Sequence, residues 1–169
     1  MNLVLIGYRG TGKSEVGKLL AARLGMDLVG MDAEIVRQAG MSIPQIVEKY
    51  GWTKFRDMET EEARNLAGFD NLIIDTGGGV IERPENIELL RQNARIFWLK
   101  ASVQTIVSRI QGDTQRPSLT TGKTFTDEVA EVLERRIPGY RGAAHYEIET
   151  DTSTPKQVAA AIVEIWEKG

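Results

Sequence analysis

The sequence predicts a doubly wound α/β fold built on a five-stranded parallel sheet, and three observations carry that expectation. Short apolar runs alternate with helical patterns along the chain, the pattern of a parallel sheet with helices on both faces. The first apolar run, Leu3-Val4-Leu5-Ile6, opens directly onto the glycine-rich stretch Gly7-Tyr8-Arg9-Gly10-Thr11-Gly12-Lys13-Ser14. At 169 residues the chain suits one compact domain with a full hydrophobic core.

Taken in order, the expected strands are Leu3–Ile6, Leu28–Val29, Leu72–Ile74, Ile96–Leu99 and Tyr146–Ile148. Helical spacing follows Lys13, where Val16, Leu19, Leu20 and Leu24 share one face. Further helices are expected after Asp32, Pro44, Pro84, Val103 and Phe125. A last one from Pro155 buries Val158, Ile162 and Ile165. The span from Asp32 to Leu72 is almost wholly helical and too long for a simple crossover. It predicts a helical insertion carrying a binding surface, placed at about residues 32 to 60. The segment from Gly112 to Lys123 is polar, holds two glycines and a proline, and lacks any apolar period. It reads as an exposed mobile loop, and near residues 111 to 123 it predicts a lid that excludes water.

Composition narrows the partners. There are 21 basic and 24 acidic residues, net −3, and no basic run, so neither nucleic acid nor an anionic membrane is expected as a partner. The absence of cysteine excludes disulfides and thiol catalysis and is compatible with a reducing compartment. The chain opens on a strand rather than a basic, apolar signal. No apolar stretch reaches the roughly 18 residues of a membrane span, so a cytoplasmic location is expected.

The glycine-rich stretch has the spacing G-x-x-x-x-G-K-S, between a strand and a helix as a phosphate-cradling loop requires. Its glycines let successive backbone N–H groups turn inward, and the following helix N-terminus adds partial positive charge. Gly10, Thr11 and Gly12 would line the phosphates, Lys13 would reach the terminal ones, and the Ser14 hydroxyl would ligate magnesium. A nucleoside triphosphate is the expected ligand. A guanine-reading motif is absent: Thr53-Lys54-Phe55-Arg56-Asp57 has one residue too many and falls in a helical region.

Further motifs combine with this loop. They are Asp32; Gly40-Met41-Ser42-Ile43; Phe55-Arg56-Asp57-Met58-Glu59; the strand leading into Gly77-Gly78-Gly79; Arg116-Pro117; and Arg136-Ile137-Pro138-Gly139-Tyr140. In that order and spacing the chain resembles the shikimate kinase family over roughly residues 3 to 166. The resemblance implies strand order 2-3-1-4-5, a monomer, and magnesium-dependent transfer of the ATP γ-phosphoryl group to the 3-hydroxyl of shikimate. It implies that Arg56 and Arg136 clamp the acceptor's carboxylate with guanidinium forks. Asp32 would orient the attacking hydroxyl, and the backbone at Gly78 and Gly79 would approach the acceptor closely. Glu59 would hold Arg56 from one turn away. Arg116 would cover the transferring phosphoryl group, and Arg109 joins it on the nucleotide side.

Plainer readings stand beside these. Asp32 could be a helix N-cap, Arg56 and Glu59 an exposed pair, Gly77–Gly79 a tight turn, and Arg136 part of a solvated face. His145, the one histidine, reads as structural or surface. A gluconate-type kinase and a degenerate nucleotide-binding regulatory module are the competing functions.

One departure touches chemistry. The family carries Asp-x-Asp where this chain has Gly30-Met31-Asp32, so the acid associated with the magnesium shell is missing. Asp75 ends an apolar strand, Ile73-Ile74-Asp75, where P-loop proteins often place a carboxylate that supports the metal. It is the expected substitute, unless it is only a turn residue. Val36 stands where the family often has glutamate and Trp52 where an acidic residue is common, while Ser118 and Gly139, in place of leucines, are loop and packing changes.

Overall fold

The computed structural model describes residues 1–110 and 124–169; the expected lid, with Arg116, lies outside the described residues. Five strands form one sheet: β1 (Asn2–Ile6), β2 (Asp27–Gly30), β3 (Leu72–Asp75), β4 (Ala94–Lys100) and β5 (Tyr146–Glu149). All neighbours pair in parallel, in the order β2-β3-β1-β4-β5 that the resemblance implies. Each expected strand is present, longer by a residue or two at one or both ends. Helices α1 (Lys13–Leu24), α2 (Met31–Ala39), α3 (Ile43–Tyr50), α4 (Trp52–Ala67), α5 (Pro84–Arg91), α6 (Val103–Ile110), α7 (Phe125–Ala143) and α8 (Pro155–Lys168) connect and cover them.

The strands are continuous apolar runs because both sheet faces are covered. Side chains alternate along β1: Leu3 and Leu5 pack with Val16 and Leu20 of α1 and Val158 and Ile162 of α8. Val4 and Ile6 face the other layer, with Leu66 of α4, Leu90 of α5, Ile106 of α6 and Val132 of α7. Ile73 and Ile74 of β3 divide between the two layers in the same way.

The helices between β2 and β3 hold a third, small apolar cluster of Ile35, Ile43, Ile46 and Phe55. Its geometry starts at a capping box. The Ser42 hydroxyl accepts from Gln45 N (3.3 Å), while Ser42 N donates to Gln45 Oε1 (2.8 Å), which fixes the start of α3. Gly51, at φ 86, then lets the chain reverse into α4 with no intervening loop. That sharp junction aims the first turns of α4, with Phe55, Arg56 and Glu59, back toward the C-terminal end of the sheet.

Candidate functional site

The glycine-rich loop leaves β1 under tight constraint. Gly7 has φ 147, and a Cβ there would lie 2.6 Å from the Leu99 carbonyl oxygen of β4, so a side chain is excluded on both counts. Gly10 and Gly12 also take positive φ, 83 and 90. Inside the loop the Thr11 hydroxyl donates to the Tyr8 carbonyl (2.9 Å). Lys13 is 7% exposed, and its Nζ donates to the carbonyls of Gly7 (2.7 Å) and Tyr8 (3.0 Å). The ammonium is thereby stored on the loop that it closes.

Ser14 lies in the first turn of α1, and its hydroxyl donates to Asp75 Oδ2 at 2.6 Å. Asp75 ends β3, and its register partner on β2 is Gly30. The residue that lacks the acid and the residue that bears one are therefore lateral neighbours on parallel strands. Gly30 has ordinary extended geometry (φ −93, ψ 119), and a Cβ there would meet only the Ala33 Cβ at 3.6 Å. Gly30 occupies the N-cap position of α2, so Asp32 sits inside the first turn and is not the cap. Asp32, Asp75, Lys13 and Ser14 line one cleft of about 850 Å³. The two carboxylates and a hydroxyl are hard oxygen donors, the type that magnesium takes alongside phosphate oxygens and water.

Two partly buried ion pairs stand on either side of the glycine turn. Arg56 Nη1 donates to Glu59 Oε1 at 2.7 Å, with Glu59 fully buried. The Arg56 guanidinium also lies 5.2 Å from the Trp52 ring centroid and 5.5 Å from that of Phe55. From α7, Arg136 reaches inward at 5% exposure; its Nε donates to Glu82 Oε1 at 2.7 Å, and its Cζ is 5.6 Å from the Tyr8 ring centroid. Neither arginine belongs to a solvated face.

Gly78 and Gly79 sit between these arginines. A Cβ on Gly79 would fall on the Arg56 guanidinium, and one on Gly78 would lie 3.4 Å from Arg136 Nη1 and 3.2 Å from Arg9 N of the phosphate loop. The sequence suggested glycine here for close approach of the backbone to an acceptor. The structure adds a second reason: the Arg56 guanidinium takes the space that a Gly79 side chain would fill, and the Arg9 backbone crowds Gly78. Tyr140 completes the turn, its hydroxyl donating to the Gly78 carbonyl at 2.5 Å. Burial holds that phenol well above its ordinary range against the pull of Arg136, so it stays a protonated donor. Burial would raise Glu82, but the hydrogen bond from Arg136 and the charges of Arg136, Arg135 and Arg56 prevail and hold it below the usual carboxylate range.

Arg109 of α6 spans the other end of the loop, with Nη1 donating to the Gly10 carbonyl (3.1 Å) and Nη2 to the Thr150 carbonyl (3.4 Å). It borders a second hollow of about 350 Å³ with Gly10, Gly12 and Pro155. His145 lies away from both clefts, where its Nδ1 accepts from Ile96 N at 2.9 Å. Glu82 escaped the sequence reading entirely. It follows Gly79 by three residues, and no local signal separates it from a surface glutamate. Tyr8 and Tyr140 stood inside quoted motifs without a role.

A parallel sheet of this order, with a phosphate loop after β1 and paired arginines facing it across the glycine turn, defines a small ATP-dependent P-loop kinase. The comparisons with known proteins give the family. A family profile described as Shikimate kinase matches residues 9–167. Shikimate kinases of Caldicellulosiruptor bescii and Geobacter sulfurreducens are 38% and 42% identical over 164 residues, 97% of this chain and 94% and 88% of theirs. A solved shikimate kinase from Acinetobacter baumannii, in complex with shikimate, superposes with TM-score 0.93 at 35% identity, covering 99% of this chain and 93% of that one. The chain belongs to the shikimate kinase family. A gluconokinase from Sinorhizobium meliloti shares the fold alone, at TM-score 0.60 and 16% identity over 99% of this chain and 94% of that one.

Proposed function

We propose that this chain transfers the γ-phosphoryl group of ATP to the 3-hydroxyl of shikimate, as a cytoplasmic monomer. One observation carries the reading: the Gly78–Gly79 turn closely approaches the phosphate loop at Arg9 and the guanidinia of Arg56 and Arg136, so acceptor and donor sites share a wall. Arg56 and Arg136, each backed by a glutamate, present planar donors for the acceptor's carboxylate. With the carboxylate anchored there, the ring extends toward Asp32, whose carboxylate accepts from the attacking hydroxyl and aligns it. Lys13 exchanges the Gly7 and Tyr8 carbonyls for phosphate oxygens and offsets charge developing on them. Gly10, Thr11 and Gly12 supply backbone N–H donors, and Arg109 braces that loop from the side. Arg116 is assigned to the transferring phosphoryl group from its sequence position alone.

Magnesium, when bound, neutralises phosphate charge; Ser14 and Asp75 are the residues that would hold it or its waters. Their 2.6 Å contact supports that assignment, and the Ser14 proton directed at Asp75 leaves the hydroxyl lone pairs for a cation. The test of the function is a coupled assay of ADP release with shikimate, with gluconate and with no acceptor. Shikimate-dependent release is expected. Release with gluconate and none above background with shikimate would overturn the reading.

A further inference from the structure

Arg136 is tied along its Nε edge before any acceptor arrives. Its Nε donates to Glu82 at 2.7 Å, and its Nη1 lies against Gly78, whose carbonyl Tyr140 holds at 2.5 Å. Glu82 comes from the 3-10 turn Val80–Glu82 that follows the glycines, so the segment that seats the guanidinium also supplies its counter-charge. Arg56 has the matching arrangement with Glu59. The clamp is thus two arginines and two glutamates, formally neutral in charge. Each guanidinium has one edge committed to protein.

We propose that Glu82 is a positioning residue for the acceptor site: it holds the Nε edge of Arg136 so that the other edge is presented to the acceptor's carboxylate. This rests on the shikimate reading only for the identity of the acceptor. The physical argument is one of pre-organisation. An arginine side chain carries large rotamer entropy, and a fork fixed in advance loses less of it on binding. A charge-assisted bond at 2.7 Å is strong enough to fix it. Arg135, also on α7, approaches Glu82 at 3.4 Å but is half exposed, and Arg56 of α4 acts on it only through its charge. Glu82 therefore has one short, buried partner, Arg136.

The test uses the full chain with Glu82→Ala, Glu82→Gln and Glu82→Asp. In the Ala variant, KM for shikimate is expected to rise about tenfold or more, the range for losing a hydrogen bond to a charged group. KM for ATP and kcat should stay near wild type. Gln, which keeps an acceptor oxygen, should lose less, and Asp should recover part of the loss. Nitrogen-15 NMR of the arginine side chains gives a readout independent of turnover. The Arg136 Nε–H proton, assigned by its disappearance in Arg136→Lys, is expected downfield in wild type and shifted upfield in Glu82→Ala with a native melting curve. An unchanged acceptor KM in Glu82→Ala would overturn the proposal, as would an unmoved Nε–H signal. A fall in kcat with both KM values unchanged would overturn it too, placing Glu82 in the chemical step instead. Absence of shikimate turnover in wild type would defeat the functional reading while leaving the Arg136 signal to decide the contact.

Discussion

At the scale of single residues, the site depends on what each side chain is tied to. Arg56 and Arg136 are guanidinium forks whose neighbours fit a plane, including the Trp52 and Tyr8 rings. Lysine at either position keeps the charge and loses the fork, so each Arg→Lys variant is expected to lose about 2 kcal/mol or more in kcat/KM. Unchanged kinetics in both variants would remove the carboxylate clamp. The Gly30–Asp75 pair gives a second prediction. Asp75→Asn should raise the magnesium concentration needed for half-maximal activity, and weaken binding of magnesium with ADP measured by calorimetry. Gly30→Asp should restore part of both, because the backbone at position 30 is extended and a Cβ there meets only ordinary contact. The two substitutions should be non-additive, as groups sharing one ion's shell are. Independent, additive effects would show that Asp75 serves the Ser14 hydroxyl alone.

At the scale of elements, the ends of strands and helices decide where these residues go. The capping box at Ser42 and the positive-φ junction at Gly51 turn α4 toward the sheet, and they make Arg56 a partly buried residue paired with a buried Glu59 rather than one of an exposed i,i+3 pair. The join between β4 and β5 is held in part by His145, which accepts from Ile96 N. Burial, with the charges of Arg91 and Arg95, lowers its pKa below the ordinary 6.5. A group lowered in the folded state binds fewer protons there than in the unfolded chain. Its stabilising contribution is therefore full above about pH 6.5 and is lost as pH falls from that value through the folded one. Melting curves between pH 7.5 and 5.5 should show a fall in Tm, and a smaller one in His145→Asn, where an amide oxygen can accept the same bond without titrating. An identical fall in both proteins would assign the acid sensitivity elsewhere.

At the scale of the whole molecule, the described residues form two apolar clusters on the faces of one sheet and a third among the inserted helices α2–α4, and the site lies where their elements converge. Ligands that bind this arrangement and not the unfolded chain must stabilise it. ADP with magnesium at a hundred times its dissociation constant should add about 2.7 kcal/mol. For a chain of 169 residues that corresponds to a Tm increase of roughly 5 to 10 °C. Shikimate should raise Tm in wild type and much less in Arg136→Lys, whereas the ADP shift should persist in that variant. Loss of both shifts together would mean that Arg136 supports the fold rather than the acceptor.

The sequence by itself determined the sheet, its flanking helices and the phosphate loop, because those signals are local. A strand buried on both faces reads as Leu3-Val4-Leu5-Ile6, and the loop's glycines, Lys13 and Ser14 lie at set offsets from it. Ordered motifs also brought Asp32, Arg56, Gly78 and Arg136 into one expected site. The Arg56–Glu59 pair was legible too, one helical turn apart, but tertiary structure alone decided the long-range pairings. Glu82 and Arg136 are 54 residues apart, and Ser14 and Asp75 are 61 apart, so no local pattern links either pair. Likewise Gly30 and Asp75 become neighbours only because β2 and β3 align in parallel at that register. The physical reason is range: periodicity and turn chemistry act over a few residues, whereas an ion pair forms wherever the packed sheet brings two side chains together.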